Sequence, residues 1–89
     1  MTTVKKYEIW KQCFQAVFMP EEATILSVQE DDGEIVMWAL VDDKKPSDFR
    51  DFEVFKTETP IPVDMGIERE YVGTVQCGSE EYHVFERTN

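Results

Sequence analysis

The stretch ATILSVQEDDGEIVMWALV, residues 23–41, restricts the fold more than any other part of this chain. Both arms are rich in β-branched and aromatic residues, which suit a pleated, half-buried surface. Between them stands EDDG, whose Asp-Gly pair accepts the left-handed conformation that a tight hairpin turn needs. In the second arm Ile35, Met37, Ala39 and Val41 fall on one face, and Val36, Trp38 and Leu40 on the other. Apolar residues on both faces predict a central strand covered on both sides.

A second hairpin is expected near the C-terminus, where EYVGTVQ (70–76) and EYHVFER (81–87) are joined by CGSE. Gly78 supplies the positive φ of its turn. Tyr82 and Val84 then share one face, and His83 and Phe85 the other. In FRDFEVFKT (49–57) Phe52 and Val54 share a face, with Arg50 and Glu53 fitting the opposite face only imperfectly, and a further strand is predicted. DDKKPSD (42–48) reads as a polar loop. ETPIPVDMG (58–66) reads as an extended loop, because Pro60, Pro62 and Gly66 disfavour helix and central strand alike. That loop is expected to cross the structure rather than divide it, so residues 1–89 form one domain.

The N-terminal segment admits two conformations. Tyr7, Trp10, Cys13, Phe14, Val17 and Phe18 recur at three and four residues, the period of a helix that Pro20 would stop. Against a helix stand its aromatic and β-branched composition and the lack of a convincing N-cap beyond Thr2 or Thr3. The expected fold is therefore mostly β, a single small antiparallel domain of six or seven strands, with the N-terminal segment as a candidate helix. Trp10 and Trp38 are expected in the core, with a stacking platform for a base as the alternative.

Nineteen acidic against nine basic residues leave a net charge of −10, which repels nucleic-acid phosphates and anionic membranes. Direct nucleic-acid binding and membrane association are not expected. The acidic residues come in bursts, which mark either a solvated surface or a face that steers toward a basic partner. Glu30, Asp31, Asp32 and Glu34 around the first turn, and Asp42, Asp43, Asp48 and Asp51 beyond the second arm, are the candidate partner-binding residues. DDGE lacks the alternating ligands of a calcium loop. Cys13 and Cys77 lie far apart, and no signal-peptide pattern precedes them, so reduced thiols in a cytoplasmic setting are expected.

GTVQCGSEEYHVFE (73–86) holds the single histidine, His83, beside a cysteine and several carboxylates. A hairpin accounts for it better than a reaction centre does. Catalysis by a nucleophile needs a base beside Ser, Cys or Thr, and one histidine leaves few options. Cys13, Cys77 and His83 supply three zinc ligands in no recognised spacing. The glycines at 33, 66, 73 and 78 form no phosphate loop. No catalytic residue, metal ligand or cofactor is assigned, and the chain is read as non-enzymatic.

Taken in order, IWK (9–11), MPEEATILSVQ (19–29), MWALVD (37–42), TETPIPVD (57–64), YVGTVQ (71–76) and HVFE (83–86) resemble a family of small proteins encoded by tailed phages and prophages, of unknown function. Members carry Gly after the Thr of the TxxPIP segment, where this chain has Glu58. The resemblance implies a mostly β fold in which IWK and AVFM are strands, and it carries over no catalytic residue. The phage setting implies a non-enzymatic interaction protein in the bacterial host cytoplasm, inhibiting a defence or nucleic-acid-processing protein through its acidic surfaces. A basic nucleic-acid-binding surface of that host protein is the expected contact. Two alternatives stand beside it. One is a homo-oligomer that sequesters a nucleotide signal between subunits, with Trp38, Thr57 and His83 as candidate ligand-binding residues. The other is a structural or accessory phage protein.

Overall fold

A computed structural model describes residues 1–63 and 66–88 of the chain. It is all β. Seven strands run in the order β1 (Thr2–Ile9), β2 (Phe14–Pro20), β3 (Thr24–Asp31), β4 (Glu34–Asp42), β5 (Ser47–Lys56), β6 (Arg69–Cys77) and β7 (Glu80–Arg87). They form two antiparallel sheets, a three-stranded one ordered β1-β4-β3 and a four-stranded one ordered β2-β5-β7-β6. The expected antiparallel β domain agrees with this, but the candidate N-terminal helix does not. Residues 2–9 pair along β4 and residues 14–20 along β5, so both segments place their backbone groups in ladders. The helical spacing is the imprint of strand, turn and strand on a run of aromatic residues. IWK is not a strand either, since β1 ends at Ile9 and leaves Trp10 and Lys11 in the connection.

The first predicted hairpin forms as β3 and β4, joined by Asp32 and Gly33 with φ of 53° and 83°. Both values lie in the left-handed region that a two-residue turn of the right twist demands. The second forms as β6 and β7 around Gly78. Register fixes the faces. Ile35, Met37, Ala39 and Val41 of β4 point inward and are at most 1% exposed. They meet Met19, Phe52, Val54, Val84 and Val75 of the other sheet in one continuous core. β4 is central, as expected, but only one of its faces is covered by a second layer. On its outward face Leu40 is exposed, Trp38 half-buried, and Val36 buried between its register partners Glu8 and Gln29.

In β5 the period of two places Arg50 on the inward face with Phe52 and Val54, not opposite them. Its guanidinium is satisfied there by Glu86. Neither tryptophan belongs to the core: Trp10 is 62% exposed, and Lys6 lies over the outward ring of Trp38, its Nζ 5.4 Å from the ring centroid.

The two layers are joined along one side, where β3 and β6 run side by side in the same direction. Gly73 faces Val28 across this approach, and a Cβ built on it would stand in van der Waals contact, 3.4 Å from Cβ of Val28. Both strands carry a bulge there, at Ile25/Ser27 and Tyr71/Gly73. The opposite side is open, with β1 and β2 as its free edges. Because β3 and β6 run in parallel, the Asp32–Gly33 and Gly78–Ser79 turns project from the same end of the sandwich. The β2–β3 and β4–β5 connections lie at the other end, tied by a hydrogen bond from Glu21 N–H to the Pro46 carbonyl.

Candidate functional site

The architecture divides the acidic residues by end. Glu30, Asp31, Asp32 and Glu34 sit at the end of the two hairpin turns, and Asp42, Asp43 and Asp48 at the other. Asp51 lies between, on the outward face of β5 opposite Ala16. The eight candidates are therefore not one surface. Topology adds Glu80 and Glu81 of the second hairpin to the first group. Those two are adjacent in sequence, but their place beside the first group depends on β3 lying beside β6, which no local pattern encodes.

The ends differ in neutralisation. At the hairpin-turn end Lys6 reaches Asp31 at 2.9 Å and Lys56 reaches Glu80 at 3.6 Å, while Glu30 accepts the Gly33 N–H within its own turn. At the other end the terminal ammonium of Met1 lies 2.8 Å from Asp43 and 3.4 Å from Asp42, and Lys45 pairs with Glu22. The Lys44 backbone N–H, and behind it the terminal ammonium, hold the Asp42 carboxyl below its usual range. Asp43 in turn raises the ammonium above its ordinary value.

Of the three ligand-binding candidates, Thr57 and His83 meet and Trp38 does not join them, because it faces outward from the other sheet. His83 Nε2 lies 2.7 Å from Thr57 Oγ1, and its Nδ1 lies 2.9 Å from Thr74 Oγ1. Thr57 Oγ1 donates to Glu81 at 2.9 Å, and Tyr71 OH lies 2.5 Å from Thr74 Oγ1. Both ring nitrogens of His83 are thus engaged by threonine hydroxyls, which link the imidazole to Tyr71 on one side and to the Glu81 carboxylate on the other. Among the described residues, no group of three or more His, Cys, Asp and Glu side chains could hold a metal ion. Cys13 and Cys77 are free thiols, one exposed and one buried.

Two arginine–carboxylate clusters occupy opposite faces of the four-stranded sheet, and neither was anticipated. On the inward side Arg50 binds Glu86 through both ends of its fork, at 2.6 and 2.7 Å, and donates to the Ala23 carbonyl at 2.6 Å. This pair floors a cleft of about 420 Å³ where the β3 and β6 bulges part, bordered also by Leu26, Glu70 and Tyr71. On the outward side Glu53 is only 6% exposed, although alternation along β5 would place it in water. It accepts from Arg69 at 2.6 Å and lies 3.5 Å from the buried Nε of Arg87. The two arginines also lie over aromatic rings, Arg69 over Phe55 and Arg87 over Phe14. Farther along this face Phe14, Phe18 and Phe49 are half or more exposed, with the Phe18 and Phe49 ring centroids 4.9 Å apart.

No curated protein and no solved structure matches the chain. A family model does, described as a domain of unknown function, and it spans residues 1–89. The chain belongs to that family, DUF7352.

Proposed function

We propose that this is a non-enzymatic, phage-encoded interaction protein that inhibits a host protein in the bacterial cytoplasm by presenting the hairpin-turn end to a basic surface. The phage setting rests on the ordered resemblance of its segments. The observation that supports the contact is the convergence of Glu30, Asp31, Asp32, Glu34, Glu80 and Glu81 at one end, on two short turns held by a rigid sandwich. Carboxylates on stiff turns lose little freedom on docking, and a field of one sign raises the association rate with a basic partner. A nucleic-acid-binding surface has that charge, and the same field keeps nucleic acid itself away.

The test begins with partner capture from bacterial lysate, followed by binding kinetics with the purified partner. The pair Asp31→Lys and Glu34→Lys, beside the turn but outside its left-handed positions, should slow association at least tenfold and flatten its salt dependence, leaving the melting temperature nearly unchanged. Asp42→Lys with Asp43→Lys, at the neutralised end, should have a much weaker effect. Full affinity and an unaltered salt slope in the first pair would exclude the hairpin-turn end as the contact.

The cleft over Arg50 and Glu86 supports a second function, binding of a small neutral or cationic molecule. Its one arginine is already saturated by a carboxylate and Glu70 adds negative charge, so phosphate groups of a nucleotide are disfavoured there.

A further inference from the structure

We infer that β2 is a self-pairing edge, and that the protein forms a two-fold dimer by antiparallel addition of β2 to β2 of a second copy. Exposed edge strands are ordinarily blunted by charges, bulges or proline, because their unpaired backbone groups template further pairing. Three of the four edges here are blunted: β1 carries Lys5, Lys6 and Glu8, and β3 and β6 carry bulges together with charged residues. β2, FQAVFMP, has no charge and no bulge, and its proline stands at its last position. In a chain of net charge −10 it is the seven-residue edge on which like-charge repulsion between copies is least.

The hydrogen-bond phase matches. Val54 N–H donates to the Cys13 carbonyl, so residues 13, 15, 17 and 19 direct their backbone groups toward β5. Phe14, Ala16 and Phe18 therefore aim theirs at the free edge, where no strand pairs with them among the described residues. A two-fold axis at Ala16 sets Ala16 against Ala16 and Phe14 against Phe18 of the second copy, and all three are hydrogen-bonding positions. Six backbone bonds close without an orphan. The side chains of these residues share the outward face, so each joint runs Phe49, Phe18 and then Phe14 of the second copy as one row of rings.

Apolar area borders the joint. Trp10, which borders a groove of about 350 Å³ beside β2, is 62% exposed, as is Phe49, and Phe14 and Phe18 are 50% and 58% exposed. At roughly 200 Å² per aromatic side chain this leaves about 450 Å² of open ring per copy. Lateral contact across the joint covers part of this ring area in each copy, and the paired main chain adds to it. Glu8 of β1 lines the same groove, and on the outward face the nearest acidic residue, Asp51, stands three strand spacings from its symmetry mate. That distance of about 14 Å exceeds the Debye length of about 8 Å at physiological salt.

Sedimentation equilibrium of the full chain at roughly 100 μM, above the dissociation constant of even a weak specific dimer, reads the mass directly. About 21 kDa is expected, twice the 10.4 kDa of one chain, with tighter association as salt rises. Ala16→Pro removes a donor that β5 does not use, and Phe18→Lys places a charge on the edge; each should return the mass to 10.4 kDa without loss of circular dichroism. Register has its own readout: in a Cys13→Ser background, Ala16→Cys should cross-link under mild oxidant at least tenfold faster than Val4→Cys on β1. A wild-type mass of one chain, dimers that persist in both folded edge variants, or Ala16→Cys no faster than Val4→Cys would each overturn the inference. The charge reversals at the hairpin-turn end leave the mass at two chains, so this test is independent of the proposed partner contact.

Discussion

Replacing Glu53 by Gln removes one negative charge from a protein with ten to spare, and general electrostatics alone would make the product slightly more stable. The local structure predicts the opposite. Glu53 is 6% exposed and is the carboxylate that Arg69 and Arg87 share, at 2.6 and 3.5 Å. Breaking a buried pair from one side costs about 3 to 5 kcal/mol, because the remaining charge is left desolvated without compensation. Two guanidiniums are stranded here, but Arg87 is 31% exposed and can turn toward water, so the lower figure of about 3 kcal/mol applies. A chain of 89 residues has a total stability of roughly 5 to 13 kcal/mol, so about a quarter to three fifths of it is at stake. At about 4 to 8 °C per kcal/mol the melting temperature should fall by roughly 12 to 24 °C. Urea titration at neutral pH, with Asp32→Asn as the charge-matched surface control, measures the difference. A Glu53→Gln midpoint within about 0.5 kcal/mol of that control would show that the cluster is not the internal tie described here.

Three further substitutions probe other levels of the structure. Glu58 sits at φ 71°, a conformation that favours glycine. Glu58→Gly should therefore raise stability by up to about 1 kcal/mol by thermal melting, and a clear loss would refute the strain. His83→Gln breaks one link of the Tyr71–Thr74–His83–Thr57–Glu81 chain and should cost only about 1 kcal/mol while preserving partner binding; loss of binding with the fold intact would restore His83 as a functional group. Val84→Asp puts an unpaired charge at a wholly buried position of β7 and should cost more than about 4 kcal/mol, read as loss of cooperative unfolding.

What could be read in advance follows from how local each signal is. The β3–β4 hairpin was legible because Asp32-Gly33 supplies both left-handed residues of the turn, and β4 because its inward residues alternate without a break. The first twenty residues were not. In β2 the inward Val17 and outward Phe14 and Phe18 are all apolar, so alternation is erased, and Trp10 in the connection completes an accidental helical spacing. Glu53 was illegible for a related reason. Its burial comes from arginines 16 and 34 residues away, and a single acidic residue in a strand carries no mark of such partners. The Thr57–His83 contact likewise follows from β5 pairing with β7, which places two separated candidates within hydrogen-bond reach while leaving Trp38 on the other layer.

The same topology relates the two proposed surfaces. β2 carries no charge, and the acidic residues of the hairpin-turn end lie on turns that β2 does not border, so the edge and the end can be occupied at once. A two-fold axis at Ala16 reverses strand direction between copies, and the two acidic ends then point to opposite poles of an eight-stranded sheet. Neither end shields the other, and neither copy can add its charges to its mate's against a single basic patch. Pairing through β2 thus contributes no avidity toward a monomeric partner, and gains it only toward a partner that presents two basic surfaces across a span comparable to the 40 Å length of one protomer. Disrupting β2 with Ala16→Pro should leave the association rate per site unchanged for the first kind of partner and lower the apparent affinity for the second. An equal loss of affinity toward both would mean that the edge, rather than the acidic end, makes the contact.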